Sequence, residues 1–202
     1  MSTMTADRYH FLIRRVHSLM GLLPIGIFFV FHMFLNLSAR SGAAVYDNVI
    51  GTMRELPGLI IVEVVVIFLP IAFHAIYGCW VVYGGQSNIL RYVYVRNWFY
   101  LIQRISGIYV FAFVLIHVWM LRFGDVSFAA MQHILNNPLG FLFYAWGVVL
   151  AGFHFANGLW AFAITWGLTI GPHSQKVWAY VCGLLFLAIA VIGLLDLQAF
   201  LK

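Results

Sequence analysis

Apolar residues along this chain do not alternate with polar ones at the period of a strand or of a surface helix. They come in long runs. Five stretches hold about 20 or more mostly apolar residues, the length a helix rising about 1.5 Å per residue needs to cross a hydrocarbon core. They run from about Val16 to Ser38, Pro57 to Tyr83, Trp98 to Leu121, Leu139 to Trp166 and Trp178 to Leu197. Lipid offers backbone groups no partners, so each run is predicted to be an α-helix. Pro57 and Pro138 stand where helices begin, which suits their missing N–H. Pro24 and Pro70 fall inside spans and are expected to kink them. The first run is too long for a signal h-region and has no small-residue cleavage site behind it, so it reads as a retained span. With no linker or low-complexity segment, residues 1–202 are expected to form one all-α membrane domain of five transmembrane helices.

Composition agrees with that pattern. Apolar types make up 64% of the 202 residues and charged types 8%, against about 25% charged in soluble domains. So few charges cannot cover a water-facing surface, and the solvent must be lipid. Cys79 and Cys182 sit inside apolar runs and read as small buried hydrophobes, with no disulfide expected. The net charge of +5 does not call for nucleic acid, because the positive charge gathers in short loops. Arg8, Arg14, Arg15, Arg91, Arg96, Arg104 and Lys176 fall on one face, and Arg40, Arg54, Arg122 and Lys202 on the other, with Asp47, Glu55, Asp125 and Asp196. By the positive-inside rule the N-terminus is expected to be cytoplasmic.

Four histidines fall inside spans one to four, one in each: His32, His74, His117 and His154. Ionisable groups in a membrane are costly and mark function. Depth suggests how they pair. His32 lies roughly 9 Å from the outer end of span one and His117 roughly 8 Å from the outer end of span three. His74 and His154 lie roughly 15 Å and 20 Å from the inner ends of their spans. His32 is therefore expected to face His117, and His74 to face His154. Two imidazoles facing across a bundle match bis-histidine haem ligation, and two levels imply two haems. His74 and His154 share the pattern H-x3-G-x-W, which places Gly78 and Gly158 on the histidine's helix face. A glycine there leaves room for a flat macrocycle, and Gly147 clears the same face two turns from His154. A metal-ion transporter is the rival use of membrane histidines, but it would place carboxylates beside them.

The one acid expected inside a span is Glu63. It lies roughly 9 Å in from the outer face, level with His32 and His117, and close to three turns before His74, so it is expected to point inward. It is the candidate for proton exchange with a bound quinone. Arg15, His17 and Arg104, at the cytoplasmic ends of spans one and three, are candidates for the inner haem's propionates. His10, His133 and His173 are read as surface residues.

With these residues in place, the chain resembles the cytochrome b membrane anchors of succinate dehydrogenase and fumarate reductase, in the class with one large anchor and two haems. The likeness is greatest to the Bacillus-type anchors. It is carried by Arg14-Arg15-Val-His17-Ser18, Phe68-Leu-Pro70-Ile-Ala-Phe-His74-Ala-Ile-Tyr-Gly78, Arg96-Asn97-Trp98 with Gln103-Arg104, His117-Val-Trp119 and Phe153-His154-Phe-Ala-Asn157-Gly158-Leu-Trp160. The resemblance implies a subunit of the bacterial cytoplasmic membrane that anchors an iron–sulfur subunit and, through it, an FAD flavoprotein where succinate is oxidised. It implies electron flow through an inner haem b on His74 and His154, then an outer haem b on His32 and His117, to menaquinone near Glu63. The alternative within the same chemistry is the cytochrome b of another respiratory dehydrogenase.

Overall fold

The computed structural model describes residues 3–202, and side chains from residue 9 onward. The side chain of Arg8, counted above on the cytoplasmic face, lies outside the described residues. No strand occurs among the described residues. Five helical segments are long and apolar enough to cross a membrane: Tyr9–Ser41, Leu59–Tyr83, Val95–Arg122, Pro138–Thr165 and Pro172–Ala199. Most extend past the apolar runs because polar and aromatic residues at the ends continue the helix. His10, expected at the surface outside the spans, therefore lies on the first helix and stacks on Trp80 at 5.6 Å. Large apolar side chains such as Ile27, Ile76, Leu115 and Leu184 are more than half exposed along the outside of the bundle. That surface is stable only against hydrocarbon.

The helix changes at both in-span prolines, each in its own way. In span one, helix α1 (Thr3–Leu22) stops and α2 (Pro24–Asn36) starts at Pro24, which has no N–H to continue the ladder. Span two begins as α4 (Leu59–Val62), widens into a π-helical turn over Glu63–Phe68, and resumes as α5 (Leu69–Tyr83). Pro70 cannot donate to the carbonyl four residues back, and its ring crowds that carbonyl. A widened turn relieves both constraints. It also upsets the count of three even turns that set Glu63 over His74.

Spans three, four and five are the unbroken helices α6 (Val95–Arg122), α8 (Pro138–Thr165) and α9 (Pro172–Ala199). Spans four and five approach closely at small residues. A side chain on Gly152 would meet Ile189, and one on Gly193 would meet Val148. Close approach at small residues is how helices gain contact in lipid.

Two short helices in the connections, α3 (Ala43–Arg54) and α7 (Phe128–Asn136), were not expected from the pattern. With the end of α9 they form a dense cap in which Tyr46, Phe128, Met131, Leu135, Leu197 and Phe200 are buried together. Asp47 accepts the Phe128 N–H at 2.7 Å, and Ser127 accepts the Ala130 N–H at 3.2 Å, so the first turn of α7 is satisfied from two sides. Asp125 accepts the Ser127 hydroxyl at 2.7 Å and amide at 2.9 Å, and these bonds hold its carboxyl below the usual carboxylate range. That contribution is present above the unfolded carboxylate pKa and is lost as pH falls through the folded one. Asp196, expected at the outer face, lies within span five and is 3% exposed. Glu63 is thus not the lone in-span acid. Both cysteines are free, and Cys79 is exposed on its helix rather than buried, while Cys182 is buried.

Asp47→Ala should weaken the cap by about 1 kcal/mol, the usual cost of losing an N-terminal acceptor, and Asp47→Asn should restore most of it. Thermal unfolding in detergent checks this. An unchanged midpoint in Asp47→Ala would show that the α3–α7 bond carries no stability.

Candidate functional site: two facing histidine pairs

The structure brings together the histidines that depth paired. The rings of His74 on α5 and His154 on α8 lie 6.2 Å apart, centre to centre, with their planes at 86°. His74 Nδ1 lies 3.0 Å from the carbonyl of His17, and His154 Nδ1 lies 3.1 Å from the carbonyl of Gln103. A carbonyl can only accept, so each Nδ1 carries the proton and each Nε2 keeps its lone pair. That is the tautomer a metal-bound histidine needs. A metal about 2 Å from each Nε2, with each ring centre about 1.1 Å behind its nitrogen, requires centres about 6.2 Å apart. The ring spacing of the inner pair matches that of two imidazoles holding a metal between them.

Each inner imidazole is held by the preceding span in the same way. His17 Nε2 donates back to the His74 carbonyl at 3.1 Å, and Gln103 Nε2 donates back to the His154 carbonyl at 3.1 Å. The His17 ring lies flat on His74, centre to centre 4.1 Å. Asn157 donates to Gln103 Oε1 at 2.8 Å, and Ser106, fully buried, sits 3.3 Å from His154 Nδ1. Two glycines make this possible, and two more lie beside the holding side chains. A Cβ on Gly21 would come within 2.5 Å of the His74 ring, and one on Gly107 within 2.9 Å of the His154 ring. A Cβ on Gly78 would meet His17 at 3.3 Å, and one on Gly158 would meet Gln103 at 3.6 Å. The room at Gly78 and Gly158 is therefore taken first by the side chains that hold the histidines. Likewise Gly147 admits Phe113.

The outer pair is looser. His32 on α2 and His117 on α6 lie 5.8 Å apart with planes at 79°. His117 Nδ1 has the Tyr144 hydroxyl at 3.3 Å, while His32 Nε2 has the Asn36 amide at 3.4 Å, an amide that donates at 2.8 Å to the His32 carbonyl. Phe28 stacks on His32 and Phe113 on His117, each four residues earlier on the same span.

The remaining candidates separate. Arg15 donates to the Thr165 carbonyl at 3.0 Å and packs on Phe11 and Trp166, yet its Nε is buried without a partner. Arg104 lies over Tyr100, and its Nε and Nη1 are likewise buried and unpaired. Buried guanidinium nitrogens without acceptors are what an anionic group would satisfy. His17 does not join them, since its Nε2 is engaged with His74. Glu63 is ion-paired with Arg122 at 3.1 Å, a partner the sequence pattern placed only in a loop. Among the described residues no group of three or more His, Cys, Asp and Glu converges. His133 and His173 are exposed, as expected.

The sequence reading missed Gly21, Gly107 and the roles of Gln103, Asn157 and Tyr144. A signal for them existed. His17-x3-Gly21 and Gln103-x3-Gly107 repeat in spans one and three, just as H-x3-G-x-W repeats in spans two and four. The repeat reaches the same end of the bundle as the chain's N-terminal helix, where Trp80 stacks on His10 and Trp160 packs under Arg96 at 3.7 Å.

Fold and site together define a five-span membrane bundle with two facing imidazole pairs, each pair shared between helices. Residues 89–193 match the family of succinate dehydrogenase/fumarate reductase transmembrane subunits. The chain is also 40% identical, over 195 residues, to a succinate dehydrogenase cytochrome b558 subunit of Bacillus subtilis (strain 168), covering 94% of this chain and 96% of that one. This chain belongs to the succinate dehydrogenase/fumarate reductase transmembrane subunit family and is a membrane subunit of that type of complex.

Gly107→Val should destabilise the bundle by about 1–3 kcal/mol through overpacking against His154. Gly183→Val, at a site where an added Cβ meets nothing within 4 Å, should be near neutral. Thermal midpoints of the two variants compare them directly, and equal midpoints would contradict the close approach at Gly107.

Proposed function

We propose that this chain passes electrons from an iron–sulfur subunit, through two haems b, to menaquinone in the bacterial cytoplasmic membrane. The observation that carries the reading is the pair of facing imidazole pairs, the inner one with both Nδ1 atoms committed to backbone carbonyls. Each haem, when bound, supplies a one-electron iron couple whose potential follows its axial ligands and burial. The chain's own residues supply the rest. His74 and His154 would hold the inner haem, and His32 and His117 the outer. The relative from Bacillus subtilis is named a cytochrome b558 subunit, which supports the haem assignment.

Arg15 and Arg104 are the residues to meet the inner haem's propionates, because their buried nitrogens lack acceptors. His17 is assigned to orienting His74 instead. Gly78 and Gly158 serve the haem through His17 and Gln103, whose places they keep. The positive charge of the N-terminal and even-loop ends places that face in the cytoplasm. There the connection between spans two and three exposes Leu90, Val93 and Tyr94 beside Arg91, a surface for the iron–sulfur subunit, which in turn carries the FAD flavoprotein. At the opposite end Glu63, held by Arg122, is the group to exchange protons with the quinone.

A metal-ion transporter would need its ligands gathered in one polar path, and here they come in twos. Membership of the succinate dehydrogenase/fumarate reductase family sets aside other respiratory dehydrogenases.

His74→Ala or His154→Ala should remove one haem of two and leave the outer signal, and His32→Ala or His117→Ala the reverse. Reduced-minus-oxidised spectra with haem-to-protein ratios check this. Loss of the outer haem from His74→Ala would refute the pairing. Glu63→Gln should slow quinone reduction at least about tenfold with both haems retained, and normal turnover would end its assignment.

A further inference from the structure

The contacts around the inner pair form two copies of one device, and the copies use different side chains. In each, a residue early in one span offers its carbonyl to the Nδ1 of a histidine on the next span. The same residue's side chain donates back to that histidine's carbonyl. In the first copy the residue is His17, with its acceptor and donor bonds at 3.0 and 3.1 Å. In the second it is Gln103, with both at 3.1 Å. A glycine four residues on, Gly21 or Gly107, lets the imidazole sit against the helix. The donor side chain lies beside a glycine four residues after the histidine, Gly78 or Gly158, where an added Cβ would meet it at 3.3 or 3.6 Å. The two holders approach from neighbouring spans, and the rings they hold stand at 86°.

We propose that His17 and Gln103 are paired positioning residues that lock the two inner imidazole planes perpendicular and set the electron donation of their Nε2 atoms. This rests on the reading that His74 and His154 hold a haem. The physical argument has two parts. An imidazole turns freely about its bond to the metal unless Nδ1 is fixed. Here the Nδ1–carbonyl bond fixes it only while the carbonyl stays in place, and the returning side-chain bond holds that carbonyl and its helix. A fixed Nδ1–H···O=C bond also raises the basicity of the ligand, which favours the oxidised iron and lowers the potential. Near-perpendicular axial imidazoles give low-spin ferric iron a strongly anisotropic spin-resonance signal, and that signal reports the angle directly.

Because the copies are equivalent, each side chain should replace the other. His17→Gln and Gln103→His should leave the inner haem's largest g value and midpoint potential near the wild-type values. His17→Leu and Gln103→Leu should lower that g value and raise that potential, or release the inner haem, with the outer haem unchanged in the same preparation. The measurement is electron paramagnetic resonance with a redox titration of the intact complex. Unchanged inner signals in both leucine variants would overturn the proposal. So would equal shifts in the swap and leucine variants, or inner and outer signals moving together. A wild-type complex without an inner haem signal would instead refute the haem reading beneath it.

Discussion

A buried imidazole has two nitrogens and can leave neither idle in a medium without water. Here one nitrogen of each inner histidine is spent on a backbone carbonyl of the neighbouring span. Helix carbonyls are normally occupied by their own ladder, but each has a second lone pair. Using it costs the helix nothing and turns the imidazole into a fixed ligand. The close approach this needs explains the glycines, and the glycines explain why spans one with two, and three with four, pack as they do. The arrangement of the bundle follows from how the histidines are held.

The two ends of the molecule then differ for physical reasons. The half around His74 and His154 carries aromatic rings, arginines and short polar bonds, and guanidinium nitrogens of Arg15 and Arg104 are buried there without acceptors. The outer half has the dense apolar cap over span four and a looser histidine pair. A rigid inner site and a softer outer one suit the path proposed above, with a mobile quinone at one end and a fixed partner subunit at the other.

Much of this was legible in the chain. Five runs of lipid length left no choice but helices, and the heights of the four histidines anticipated which rings lie near each other, because 1.5 Å per residue converts position into depth. What escaped was set by things that depth does not encode. Gly78 and Gly158 were noticed, but the neighbours filling their space, His17 and Gln103, belong to other spans. The π turn before Pro70 upset the even count that placed Glu63 over His74, and the Arg122 partner stood at a span end that reads as a loop. The helices α3 and α7 are short, and burial against Phe200 and Tyr144 together with the Asp47 and Ser127 bonds stabilises them, so no long pattern announces them. Asp196 was counted at the outer face because it stands one residue before the end of the fifth run, and its burial depends on neighbours from other spans.

The central claim is that the facing histidines are ligands to iron at two heights. A density map of the isolated complex with its partner subunits tests it most directly. The account predicts a planar macrocycle between His74 and His154, with metal on the Nε2 side of both rings, and another between His32 and His117. Imidazoles in van der Waals contact with no macrocycle between them, in a preparation that retains its cofactors, would contradict it.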